Sequence, residues 1–166
     1  MQVLRILQNG TLHMSEENKK IKIVLLGDHP MAPSGVGTQL KYIIETLLKT
    51  GRFQFICLGG AVSHLDYQPK QVPASNGEWE LGDWIIHPVD GYGNQDMIRS
   101  ILWSAKPDIL MFMTDPRFYE WLWDMEHEIR AHVPMVYYHV WDNYPYPMFN
   151  KKFYDSTDRI LTISKV

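Results

Sequence analysis

Asp28-His29 closes the apolar run "IKIVLLGD", and Ser34-Gly35-Val36-Gly37 stands a few residues further on, at the head of an amphipathic stretch. Glycines at 35 and 37 leave the backbone bare, so a ligand can approach the amides closely. A helix beginning there aims unpaired N–H groups and the positive end of its dipole at the same spot, which suits a phosphate or a sugar hydroxyl. The alternative is a plain strand-to-helix connection in which Ser34 or Thr38 caps the helix. Asp115 follows a second apolar run, and His139, Trp141, Asp142, Asn143 and Tyr144 follow a third. A histidine and a carboxylate meeting at one edge can exchange protons with a substrate, which makes His139 and Asp142 the candidate catalytic pair. The flat faces of Trp141, Tyr144 and Tyr146 suit stacking on sugar rings or bases. The competing readings make His139 a satisfied core residue, Asp142 a turn former before Pro145, and Asp115 a helix cap.

Other chemistries are argued against. Leu40 stands where a dinucleotide fingerprint would have its third glycine, and the second apolar run ends in Gly59-Gly60 and not in an acid that would hold a ribose. No Gly-Lys-Ser/Thr follows the loop, so it is not a P-loop either. The seven histidines show no paired ligand spacing, and no metal site is expected. The single cysteine, Cys57, sits inside an apolar run, reads as strand packing, and fits a reducing compartment. A net charge of -3 argues against nucleic acid as a partner, because phosphate binding wants a basic face. No apolar run approaches the roughly 20 residues of a membrane span, and the start lacks the apolar core of a signal peptide.

These residues must be positioned by strands and helices in alternation. At 166 residues, 45% of them hydrophobic, the chain makes one domain with a real core. Residues 1–20 read as a flexible extension. Strands are predicted over Ile21–Asp28, Phe53–Gly60, "DWIIHPV", Pro107–Thr114, "VPMVYYHV" and "DRILTIS", with 61–82 mostly irregular. Between them, helices place Leu40, Ile43, Ile44, Leu47 and Leu48 on one face, then Ile98, Ile101, Leu102 and Ala105. "FYEWLWDMEHEIRA" predicts one further helix with Phe118, Trp121, Leu122, Met125 and Ile129 inward and Trp123 at the surface. Such alternation implies an α/β doubly wound parallel sheet, whose ligands sit beyond the carboxyl ends of the strands.

The order of the Ser34–Gly37 loop, "KPDIL", "VPMVYYHVWD" and "DRILTIS" resembles the N-terminal domain of a two-domain (GT-B) glycosyltransferase of the glycosyltransferase 4-like group, over residues 21–166. That resemblance implies a Rossmann-like domain forming the acceptor-side half of an enzyme that moves a sugar from a nucleotide-sugar donor to a glycan, lipid or other acceptor. It implies no metal and no cofactor. Gly35 and Gly37 would offer backbone contacts. Trp141-Asp142 would replace the family's His-Asp pair, with Asp142 touching a sugar hydroxyl. The donor-binding C-terminal half is not in this sequence, so the domain is expected to be inactive without that half or a partner chain. A homodimer and a cytoplasmic location, at times at the membrane periphery, are further expectations of this reading. A flavodoxin-like phosphate- or nucleotide-binding module and a non-catalytic remnant are the alternatives.

Overall fold

The computed structural model describes residues 19–141, 144–145 and 147–163. Residues 1–18, Asp142, Asn143, Tyr146 and the stretch 164–166 lie outside the described residues. The elements are β1 (Ile21–Asp28), α1 (Gly35–Leu48), β2 (Phe53–Gly60), β3 (Lys70–Gln71), β4 (Trp84–Pro88), α2 (Gln95–Ala105) and β5 (Ile109–Met113). A 3-10 turn (Pro116–Tyr119) leads to α3 (Glu120–Trp123), α4 (Glu126–Arg130) and β6 (Met135–His139). A second 3-10 turn (Met148–Asn150), α5 (Lys151–Asp155) and β7 (Arg159–Thr162) complete the fold.

One sheet runs in the order β3-β4-β2-β1-β5-β6-β7, with every pair parallel except β3–β4. The chain winds outward from β1 through β2 to β4. It then crosses back over β1 to β5 and winds the other way through β6 to β7. This is the doubly wound, Rossmann-like single domain that the apolar runs imply. The reversal opens a crevice beyond the carboxyl ends of β1 and β5, where sheets of this kind hold ligands.

The period of two along each strand divides the core. Ile23, Leu25, Phe55, Cys57 and Met111 face α1 and bury Leu40, Ile44 and Leu48. Val24, Leu26, Leu58, Leu110 and Phe112 face the other way and bury Ile98, Leu122, Ile129 and Phe153 from the remaining helices. Each such side chain contributes about 1.5–3 kcal/mol by leaving water.

Three aspartates align the amino ends of the strands. Asp108 accepts from the Lys22 N–H at 2.9 Å while its own N–H donates to the Lys22 carbonyl at 2.8 Å. Asp158 repeats the exchange with Met135, at 2.8 and 3.0 Å, and also takes the Arg130 guanidinium. Those donors hold both carboxyls below the usual carboxylate range: the Lys22 N–H first for Asp108, the Arg130 guanidinium first for Asp158. Asp83, 3% exposed, accepts from Lys20 at 2.7 Å and from Gln54 at 3.2 Å. Lys19 also pairs with Asp108, so the ordered fold already includes the last two residues of the expected extension.

The stretch 61–82 is mostly irregular, as expected, and contributes only β3, an antiparallel edge strand held on β4. Over 118–131 two expectations need correction. The single helix expected over 118–131 is broken: Met125 has φ -114 and ψ 17, which ends α3 before α4 begins. Because the segment opens with a 3-10 turn, its residues rotate faster than in an α-helix. The face that turns inward is therefore Tyr119, Leu122, Trp123, Met125 and Ile129; Trp123 is buried, Trp121 only partly so, and Phe118 is exposed. The predicted strand over "DRILTIS" is present as β7, and all four of its residues are exposed.

Lys106 ends α2 at φ 45, in the left-handed region that side chains disfavour. Lys106→Gly is expected to raise the unfolding free energy by about 0.5–1 kcal/mol, read as a higher thermal midpoint.

Candidate functional site

The crevice is built from the loops after β1, β4 and β5. Asp28 is the last residue of β1, and its Oδ2 accepts from the Ser34 hydroxyl at 2.7 Å. Ser34 is the N-cap of α1, its Oγ accepting from the Gly37 N–H at 3.0 Å. One hydroxyl therefore joins the strand's carboxylate to the helix's first turn. Gly35 is exposed with open space where a Cβ would project. Gly37 is buried: a Cβ there would lie 2.7 Å from the His29 carbonyl and 3.0 Å from that of Ala32. Val36 packs partly into the core beneath α1. Of the loop's two glycines, Gly35 is thus free to face a ligand and Gly37 serves packing.

Across the crevice, Asp115 caps the 3-10 turn, accepting from the Arg117 N–H at 3.0 Å and from the Arg117 guanidinium at 2.9 Å. That guanidinium holds its carboxyl below the usual range. Arg117 in turn lies 5.5 Å over the Phe149 ring. Tyr92, between Gly91 and Gly93, stacks on Phe118 with centroids 4.8 Å apart and meets the edge of Tyr119 at 5.2 Å. Burial raises the Tyr92 phenol, and the charges of Asp28 and Asp115 raise it further. Tyr92 accordingly sits in the field of both acids. Tyr119 shares the field of Asp28, and its fully buried hydroxyl has no hydrogen-bond partner among the described residues.

No protein-family model, curated protein or solved structure matches the chain.

The loops flanking β1 are laced together. The His29 N–H donates to the Gly60 carbonyl at 2.9 Å, the Ala61 N–H to the Gly91 carbonyl at 3.1 Å. His29 lies against Gly59, and its Nδ1 accepts from the Met31 N–H at 3.1 Å. Burial, then the neighbouring His64 and Lys70, lowers its pKa. His64, 5.7 Å from His29 between ring centroids, donates from Nε2 to the Gly59 carbonyl at 3.1 Å. Tyr67 lies edge-on to His64 and donates to Asp90 at 2.5 Å. His64, Tyr67, Asp90 and Tyr92 were not legible as site residues, because they lie in stretches with no hydrophobic period. The one signal was the Gly-Tyr-Gly placement of Tyr92 just after a strand.

The other group of candidates lies to one side. His139 is 9% exposed, its Nε2 is 2.9 Å from the Tyr154 hydroxyl, and burial lowers its pKa. Trp141 stacks on His139 at 6.5 Å and meets the edge of Phe149 at 6.0 Å, so its ring is turned to neighbours in the protein. Tyr144 is 81% exposed. Asp142 and Asn143 lie outside the described residues. His139 and Trp141 are packed against neighbours in this arrangement, while Asp28, Ser34, Gly35, Tyr92 and Asp115 stand at or just after the carboxyl ends of β1, β4 and β5. Cys57, buried between the sheet and α1, has its thiol pushed up to about 12 by burial, which leaves it unreactive at neutral pH. Among the described residues no three His, Cys, Asp or Glu side chains group as a metal site, and no helix is long and apolar enough to cross a membrane.

Proposed function

We propose that this domain is the acceptor-side half of a glycosyltransferase of the GT-B kind and that its switch-point crevice binds a sugar through hydroxyl groups. The observation that carries the reading is the Ser34–Asp28 hydrogen bond at the start of α1. A carboxylate held at that point complements the helix dipole, so a phosphate arriving there would meet a like charge. Sugar hydroxyls, by contrast, donate to carboxylates. Asp28 and Asp115 flank the crevice as acceptors, Gly35 allows close approach, and Tyr92 offers a phenol between them. The resemblance of the Ser34–Gly37, "KPDIL" and "DRILTIS" segments supports the same assignment, with the nucleotide-sugar entering from a second domain or chain.

The test is saturation-transfer NMR with a panel of neutral mono- and disaccharides, alongside inorganic pyrophosphate. Saccharide binding that Asp28→Ala weakens about tenfold, roughly 1.4 kcal/mol, supports the reading. Pyrophosphate binding that saturates at lower concentration than any saccharide overturns it.

A further inference from the structure

A second cavity lies at the opposite pole of the sheet, near the amino ends of β5 and β6, between α2 and α4. Its volume is about 480 Å³, within the range of small-molecule sites. Leu102, Pro107, Ile129 and Val133 make an apolar floor, and Trp103 stands at its side. Trp103 is 82% exposed, an indole held in water beside an apolar hollow.

The rim is charged. Arg99 reaches from α2 to Glu128 of α4 with two parallel bonds of 2.8 Å each, tying the walls together. Arg99 also meets Asp96 at 3.5 Å, so its charge is fully taken up by two carboxylates. Lys106, also on the rim, has no ionic partner among the described residues, and His132 stands beside it. The rim therefore places one cation that has no ionic partner among the described residues, Lys106, above an apolar floor.

The geometry points to a binding site for a small amphipathic anion, a flat apolar body bearing one carboxylate or sulfonate. The ring would lie against Trp103 and the Leu102–Val133 floor, with the anionic group at Lys106. A preformed cavity with tied walls loses little freedom on binding, which favours affinity from a modest contact area. A cationic ligand of the same shape meets Lys106 as a like charge. The site is independent of the switch-point crevice, since none of its residues belongs to the loops after β1, β4 or β5.

The experiment is calorimetric titration of the protein with 1-naphthoate, with 1-naphthalenemethanol and 1-naphthalenemethylamine as neutral and cationic controls. The expected result is saturable one-to-one binding of the carboxylate, about tenfold weaker binding of the alcohol, and none of the amine. Trp103→Ala should weaken the carboxylate at least as much, and quenching of tryptophan emission should shrink with it. Lys106→Gly should reduce carboxylate binding to the level of the alcohol. Because that substitution relieves a strained backbone, a fall in affinity with an unchanged or raised thermal midpoint cannot come from misfolding. Failure of the carboxylate to saturate at millimolar concentration, equal binding of acid and alcohol, or unchanged binding by the Lys106 variant would each overturn the assignment.

Discussion

Gly37→Ala is expected to lower the unfolding free energy by about 3 kcal/mol, and Gly35→Ala to leave it unchanged or slightly higher. The two residues are separated by one position in a loop that looks uniformly open in sequence. A methyl on Gly37 meets two carbonyl oxygens of the loop's own backbone, at 2.7 and 3.0 Å, and the Ser34 Oγ at 3.1 Å. None of these is the free end of a flexible side chain, so the β1–α1 connection must move as a whole. Moving it pulls Ser34 from the helix start, adding about 1 kcal/mol of lost capping to an overpacking penalty of about 2 kcal/mol. Gly35 has nothing in reach of its Cβ position. Urea titration of both variants followed by far-UV circular dichroism is the check. A Gly37→Ala protein as stable as the parent would mean that the loop is not packed in this way.

Phe112→Ala should lower stability by about 4 kcal/mol, in the range for deleting a fully buried aromatic ring. Phe112 is 1% exposed at the centre of β5, with Tyr119 at 4.9 Å, Tyr137 at 5.0 Å and Trp123 at 5.7 Å between ring centroids. No single neighbour can collapse into the space, because each ring is held edge-on or tilted by others. Tyr119 is also the ring against which Tyr92 leans at the crevice. The substitution should therefore shift the near-UV spectrum and disturb the crevice along with the core. Urea denaturation measures the first effect. A loss below about 1.5 kcal/mol would show that the cluster repacks freely, as a core tolerant of volume change does.

The doubly wound sheet was legible because β1, β2, β5 and β6 are apolar runs of strand length, and α1 and α2 carry clean helical spacing. The strand order does not follow from that alternation, because right-handed crossovers allow more than one doubly wound order. What escaped was structure without a local period. β3 is two residues long and exists only because β4 offers an edge. Asp108 and Asp158, the acids of the "KPDIL" and "DRILTIS" segments, have no role that their own segments disclose. In space they stand at the amino ends of the strands, where their carboxylates receive the N–H groups of Lys22 and Met135. Their partners are far along the chain, so no window of sequence contains both. At the crevice, Asp28 and Asp115 could be named in advance because they stand at strand ends, and Ser34 because it heads an amphipathic helix. Tyr92 and His64 could not, since their places depend on tertiary contacts with Phe118 and His29.

β7 pairs with a single neighbour, β6, and all four of its residues face solvent; Ile160 and Leu161 remain 40% and 43% exposed. β1, by contrast, is flanked on both sides and buried through five consecutive positions. Local opening of a segment takes only as much free energy as the contacts it gives up. Amide exchange should then be graded across the sheet, slowest in β1 and faster at both edges, in β3 and in β7, where the Asp158 clamp on Met135 and Arg130 sets how readily the strand opens. The sheet is in this sense firm at its middle and loose at its margins.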